Sequence, residues 1–183
     1  MLRRRTRHRN AHRTTLIRSA ALGAAFAVAA VAAGCTPRSG SVTTTPANVG
    51  VVVSVSDGDT LTVSVDGRRE KVRLIGVDTP ETVHPTKGVQ CFGPEASEFT
   101  KETLAVGTKV KLVRDVEARD RYGRLLAYVY LFDSNVFYNR ELVRLGYARP
   151  YPFPPNTSHE ATFATAADEA RRDGRGLWSA CGD

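Results

Sequence analysis

Between Val49 and Gly76, three runs rich in β-branched residues are separated by two Asp-Gly dipeptides, and few folds accept that pattern. Val49–Val55 meets Ser56-Asp57-Gly58-Asp59. Thr60–Val65 then alternates with period two and ends at Asp66-Gly67, and Arg69–Gly76 is the third run. Asp-Gly between two such runs is a hairpin signal, because a tight two-residue turn needs positive φ at its centre. The chain is therefore expected to begin its folded part as an antiparallel meander of three short strands.

The rest of the domain is punctuated as clearly. Gly93-Pro94-Glu95 opens a helix, with proline at its first position and an acid in its first turn. Ala96, Phe99 and Thr103 share one face, Leu104 lies beside them, and Gly107 ends the segment. Lys109–Arg114 and Arg124–Leu131 alternate as a fourth and a fifth strand about the turn Asp120-Arg121-Tyr122-Gly123. Asn139 is expected to cap a short helix running through Leu145, and Gly146 lies just beyond. Four prolines between Pro150 and Pro155 predict an extended surface segment. Thr157-Ser158-His159-Glu160 reads as a capping box for a last helix, whose apolar face is Phe163, Ala166, Ala167 and Ala170 and whose stop is Gly174. Leu177 and Trp178 are expected to plug the core beneath it. The order β-β-β-α-β-β-α-α makes an α+β chain, mainly β. A five-stranded barrel with a helix after the third strand is the layout of an OB-fold.

Composition matters mainly through where charge sits. The 183 residues carry a formal +7, which invites a nucleic-acid-binding reading of the whole surface. Seven of the 26 Lys and Arg fall in residues 1–18, which hold no acid, and residues 19–34 are uncharged. From Cys35 onward 19 basic residues face 19 acidic ones, so the body of the protein is neutral. The apolar run Ala20–Ala33 is short against the roughly 20 residues that span hydrocarbon. Its small-residue ending before Cys35 resembles a bacterial lipobox. Residues 1–34 are expected to be a lipoprotein-type signal peptide, 35–48 a flexible tether of small polar residues, and 49–183 the domain. Cys35 would carry the lipid and hold the protein on the outer face of the cell membrane. A plain cleaved signal, giving a secreted protein, is the alternative. In an oxidising compartment Cys91 and Cys181 are expected to pair, the other possibility being two separate thiols.

Three segments concentrate hard oxygen ligands and phosphate-binding groups: Asp57-Gly58-Asp59-Thr60, Arg73-Leu74-Ile75-Gly76-Val77-Asp78-Thr79-Pro80-Glu81, and Asp120-Arg121-Tyr122-Gly123-Arg124. Alone, each is a turn, a strand end or a surface charge. Together, in this order and strand context, they resemble the staphylococcal nuclease family over about 130 residues, from Val49 to Trp178. The likeness extends through FGPEAS, Asn156, Thr157, His159, Glu160 and the terminal Gly-Leu-Trp. The resemblance implies a five-stranded OB barrel with three helices. It also implies Ca²⁺-dependent hydrolysis of phosphodiesters in DNA and RNA to 3′-phosphates.

Residue by residue, the resemblance makes Asp59, Asp78 and the carbonyl of Thr79 ligands of Ca²⁺, a cation that takes several oxygens. Glu81 matches the glutamate beside the attacking water. Arg73 and Arg124 match two phosphate-binding arginines, whose forked guanidinium suits a developing dianion. Tyr151 matches the first of two tyrosines near the nucleotide. The second falls on Phe153, which can stack but cannot donate a hydrogen bond. Asp57 matches a neighbouring acid that tunes calcium through water, or else serves only the turn. His84 and His159 match no catalytic position and are expected at the surface. Nucleic acid is the implied partner, with the membrane reached through Cys35 and no obligate protein partner. The rival class is a catalytically silent domain of the same fold that binds nucleic acid or protein. Such domains usually lose the acidic ligands or the arginines, and all are present here.

Overall fold

The computed structural model describes residues 48–82 and 88–181. The expected signal peptide, Cys35 and nearly all of the tether lie outside the described residues, as does His84. The elements run β1 (Val49–Asp57), β2 (Thr60–Val65), β3 (Arg68–Leu74), β4 (Gly76–Asp78), α1 (Gly93–Thr103), β5 (Lys109–Val113), β6 (Leu125–Leu131), α2 (Tyr138–Arg144), β7 (Arg149–Tyr151), α3 (Glu160–Arg172) and the single turn α4 (Leu177–Ala180).

Five strands close into a barrel in the order β1-β2-β3-β6-β5. The expected meander is its first half, with Leu61 opposite both Val55 and Val72. Asp66 and Gly67 take φ of 49° and 77°, the doubly left-handed turn that the Asp-Gly pair announces. β3 runs parallel to β6, pairing Val72 with Leu125. A parallel neighbour needs a crossover, which α1 and β5 supply. Inward-facing Val52, Leu61, Val63, Val72, Val110 and Val129 are essentially inaccessible and fill the barrel. Each such side chain contributes about 1.5–3 kcal/mol by leaving water. The fold is the mainly-β, five-stranded barrel with helices that the sequence pattern predicts, with three helices and one further helical turn among the described residues.

The helices close the barrel with the expected faces, but some of their ends differ. Phe163, Ala166, Ala167 and Ala170 of α3 are buried, as are Leu177 and Trp178, whose indole lies 4.3 Å from the Arg149 guanidinium and 4.2 Å from that of Arg171. Asn139 does not cap α2. It lies inside the helix, fully buried, where Oδ1 accepts the Val129 N–H at 2.8 Å and Nδ2 donates to the Ile75 carbonyl at 3.0 Å. Two buried backbone groups leave an uncompensated cost that outweighs a cap at an accessible helix start. The capping box at Thr157–Glu160 is also not formed. The cap position of α3 is His159, and Ser158 spends its hydroxyl on Asp115 at 2.8 Å. Nor is His159 a surface residue: it is half-buried, edge-on to Tyr128 at 4.5 Å between centroids.

A second, two-stranded sheet pairs β4 with β7, setting Gly76 opposite Tyr151 and Asp78 opposite Arg149. The proline-rich segment is thus extended, as expected, but its start is a strand. Cys91 and Cys181 are joined by a disulfide with a Cα separation of 5.9 Å.

Candidate active site

Asp59 is the second residue of the β1–β2 turn and is buried, a costly place for a carboxylate unless it is bonded on every side. Its Oδ1 accepts from Thr60 Oγ1 at 3.0 Å, and its Oδ2 accepts from the N–H and Oγ1 of Thr79 at 3.1 and 3.2 Å. Arg73 Nη1 lies 2.6 Å from the same Oδ2, and Arg73 Nη2 reaches Asp78 Oδ1 at 2.8 Å. The register explains the convergence. Arg73 pairs with Thr60 across β2 and β3, and the chain then returns through β4 to place Asp78 and Thr79 against the β1–β2 turn. Arg73 Nη1 also donates to the carbonyls of Leu74 and Val77, so one guanidinium ties both strands to both carboxylates.

The electrostatics of this corner are acidic. Burial, then the neighbouring Asp78, holds the Asp59 carboxyl above the usual range, against the pull of Arg73 and Thr79. Burial also raises Glu81, followed by the charge and hydrogen bond of Asp57 and by the charges of Asp59 and Asp78. Two carboxylates, Asp59 and Asp78, meet at Arg73, with Asp57 and Glu81 nearby in the same corner. Such a donor set fits a hard divalent cation, which favours several oxygen ligands over nitrogen or sulfur. Among the described residues no three His, Cys, Asp or Glu converge as a closed metal cage. Any ion here would be completed by backbone oxygen, water or substrate.

Beside this corner lies a cavity of about 520 Å³, lined by Arg73, Asp78, Arg121, Tyr122, Arg124, Tyr151 and Phe153 among others. Arg124 enters it from the turn before β6. Its Nε donates to Asp120 Oδ2 at 2.7 Å, and Asp120 Oδ1 accepts the backbone N–H groups of Tyr122 and Arg124, both at 2.9 Å. Among the described residues the two Nη groups of Arg124 have no hydrogen-bond partner. Tyr151 and Phe153 present their rings at 51% and 43% exposure, so neither is consumed by packing of the proline-rich segment.

The structure brings Arg73, Asp78, Arg124, Tyr151 and Phe153 to one cavity and sets Asp59 and Thr79 directly behind Arg73 and Asp78. Glu81 does not line that cavity; it sits in the adjoining acidic corner. Asp57 is a turn residue and a tether at once, accepting from Gly58 N–H at 2.9 Å and Thr82 Oγ1 at 3.0 Å. Asp120, Arg121 and Tyr122 take part in the site through contacts that their segment of sequence does not signal. Tyr122 lies under two guanidiniums, 4.8 Å from Arg121 and 5.5 Å from Arg124. Asn156, fully buried, accepts the Glu117 N–H at 2.7 Å and so ties the proline-rich segment to the cavity's far wall.

A barrel carrying this pairing of acids and forked cations at one cavity defines a phosphodiester hydrolase. Residues 71–180 match the family described as staphylococcal nuclease homologue. The chain belongs to the staphylococcal nuclease family, and it is a nuclease. It is 43% identical over 128 residues to the thermonuclease of Staphylococcus hyicus, covering 70% of this chain and 74% of that protein. Identity to the thermonuclease of Staphylococcus intermedius is 44% with the same coverage. The endonuclease YncB of Bacillus subtilis is 41% identical over 128 residues, 69% of this chain and 59% of that one.

Proposed function

We propose that this nuclease uses Ca²⁺ to hydrolyse phosphodiester bonds of DNA or RNA to 3′-phosphates, and that it acts outside the cell, tethered by a lipid on Cys35. The observation that carries the catalytic reading is the convergence of Asp59 and Asp78 on Arg73, next to a cavity where Arg124 offers two uncommitted Nη groups. Asp59, Asp78 and the Thr79 carbonyl would hold the cation, which when bound neutralises charge on the attacked phosphate and orients water. Arg73 and Arg124 clamp two phosphate oxygens as charge develops on them. Glu81 takes the proton of the attacking water. Tyr151 and Phe153 offer ring faces for a base to stack on.

Ca²⁺ supplied at millimolar level should allow the protein to degrade denatured DNA, and a chelator should stop it. Equal rates in the two conditions would remove the metal from the reading. The products should carry 3′-phosphates that a phosphatase removes.

Export is supported by the leader's charge pattern and by the Cys91–Cys181 disulfide, a bond that persists in oxidising compartments. Mass spectrometry of membrane fractions should find a diacylated N-terminal fragment beginning at Cys35. A soluble protein with unmodified Cys35 refutes the anchor.

A further inference from the structure

Glu81 shares the acidic corner with Asp57, Asp59 and Asp78. A carboxylate on a flexible side chain acts at a reacting centre only if the backbone beneath it is held, because small displacements are costly. Among the described residues both backbone hydrogen bonds of Glu81 come from one residue nine positions on. Gln90 Oε1 accepts the Glu81 N–H at 3.0 Å, and the Gln90 N–H donates to the Glu81 carbonyl at 2.9 Å. Both polar backbone groups of Glu81 are therefore engaged by the same residue.

Gln90 is itself anchored from behind. Its carbonyl accepts the Gly93 N–H at 3.0 Å, at the start of α1. Cys91 is bonded to Cys181 at the end of α4, whose Leu177 and Trp178 are buried in the core. Phe92 stacks on Tyr147 with centroids 5.5 Å apart. Gly93 passes so close to Glu81 that a Cβ there would lie 2.8 Å from the Glu81 carbonyl oxygen, which is why the approach needs glycine. Gln90 lines no part of the catalytic cavity and bonds no phosphate-binding residue.

We propose that Gln90 is a positioning residue for Glu81, and that the Cys91–Cys181 disulfide holds Gln90 in place for that task. The inference rests on the reading of Glu81 as the proton acceptor. It assigns the disulfide a part in turnover as well as in stability, by fixing the strap that carries Gln90 to the folded C-terminus.

The test is steady-state kinetics on the whole protein. Gln90→Ala should lower kcat about tenfold, between the loss of one hydrogen bond and the hundredfold that small misplacements can cost. KM and the half-saturating Ca²⁺ level should stay within about twofold, because Gln90 touches neither phosphate nor carboxylate ligands. Gln90→Glu keeps a side-chain acceptor of the same reach and should recover most of kcat. Cys91→Ser/Cys181→Ser, assayed at a temperature where circular dichroism shows it folded, should lose kcat with KM unmoved. Equal losses in Gln90→Ala and Gln90→Glu, or a KM that rises with the loss, would mean general loosening and overturn the proposal. A Cys-free variant with full kcat overturns the disulfide's part in it. Should Gln90→Ala not fold, Gln90→Asn, one methylene shorter, takes its place with the same expected direction. Glu81→Gln separates the two levels. If it loses kcat while Gln90→Ala keeps it, Gln90 is no positioning residue. If Glu81→Gln is itself near normal, the role given to Glu81 fails first.

Discussion

Arg124→Lys lowers kcat by roughly 10²- to 10³-fold, the range seen when a preorganised donor to a developing oxyanion is removed. Arg124 does two things at once with one planar group. Nε is spent on Asp120 at 2.7 Å, and that bond aims the fork. The Nη groups remain for the phosphate. A lysine has a single ammonium on a flexible stem, so it can pair with Asp120 or with phosphate but cannot span both in a fixed plane. The fold should not suffer: the ion pair is partly exposed, with Arg124 side-chain accessibility at 26%, and such pairs contribute about 0–1 kcal/mol. Unfolding curves should therefore overlay while turnover collapses. Near-normal turnover in Arg124→Lys would return Arg124 to the status of a surface charge. Arg73→Lys is the less clean variant, since Arg73 also carries four structural contacts to Asp59, Asp78, Leu74 and Val77.

Opening the Cys91–Cys181 bond destabilises the protein by about 4.6 kcal/mol in the chain-entropy treatment, for a loop of this size. The two cysteines are 90 residues apart in sequence, so the bond removes many conformations from the unfolded chain. Two of the five barrel strands, β5 and β6, and the helices α1 to α4 lie inside the loop it closes. Urea unfolding with and without reductant measures the difference. At a slope of about 1–3 kcal/mol per molar urea the midpoint should fall by about 1.5 molar or more. A shift below about 1 kcal/mol would show that the C-terminus and the strap before α1 hold each other without the bond. Cys91→Ser/Cys181→Ser should behave as the reduced protein does, which separates loss of the crosslink from side effects of the reductant.

Where local chemistry decides an element, the sequence was a sufficient guide. Asp66-Gly67 can adopt the doubly left-handed turn and little else fits between two alternating runs, so β2 and the start of β3 are legible to within a residue, whereas β3 ends at Leu74, two residues before the expected Gly76. The apolar face of α3 and the proline at the start of α1 were legible for the same reason. Where a polar side chain had two claims on it, the tertiary claim won. Asn139 serves the β6 and Ile75 backbone rather than a helix start, and Ser158 serves Asp115 rather than the start of α3. Nothing near His159 in sequence signals that Tyr128 and Phe137 lie beside it, so its burial is not legible there. The β4–β7 sheet is not legible in the sequence because each strand has three residues and one contains Pro150. Neither carries a period, and they exist only as a pair.

By itself the sequence determined the barrel, its family and the identities of the acids and arginines, because alternation, turn dipeptides and motif order are local properties. It also moved the +7 charge into residues 1–18, away from the domain that does the chemistry. Only the tertiary structure decided which groups meet. Asp59 and Asp78 are brought to one guanidinium by the return of the chain after β3, and Arg124 is aimed by Asp120. Tyr151 is carried to the cavity by pairing with Gly76, and Glu81 is gripped by a glutamine across a loop. These are contacts between segments far apart in sequence. Their free energy comes from shared burial and from backbone groups that find partners only once the barrel has closed.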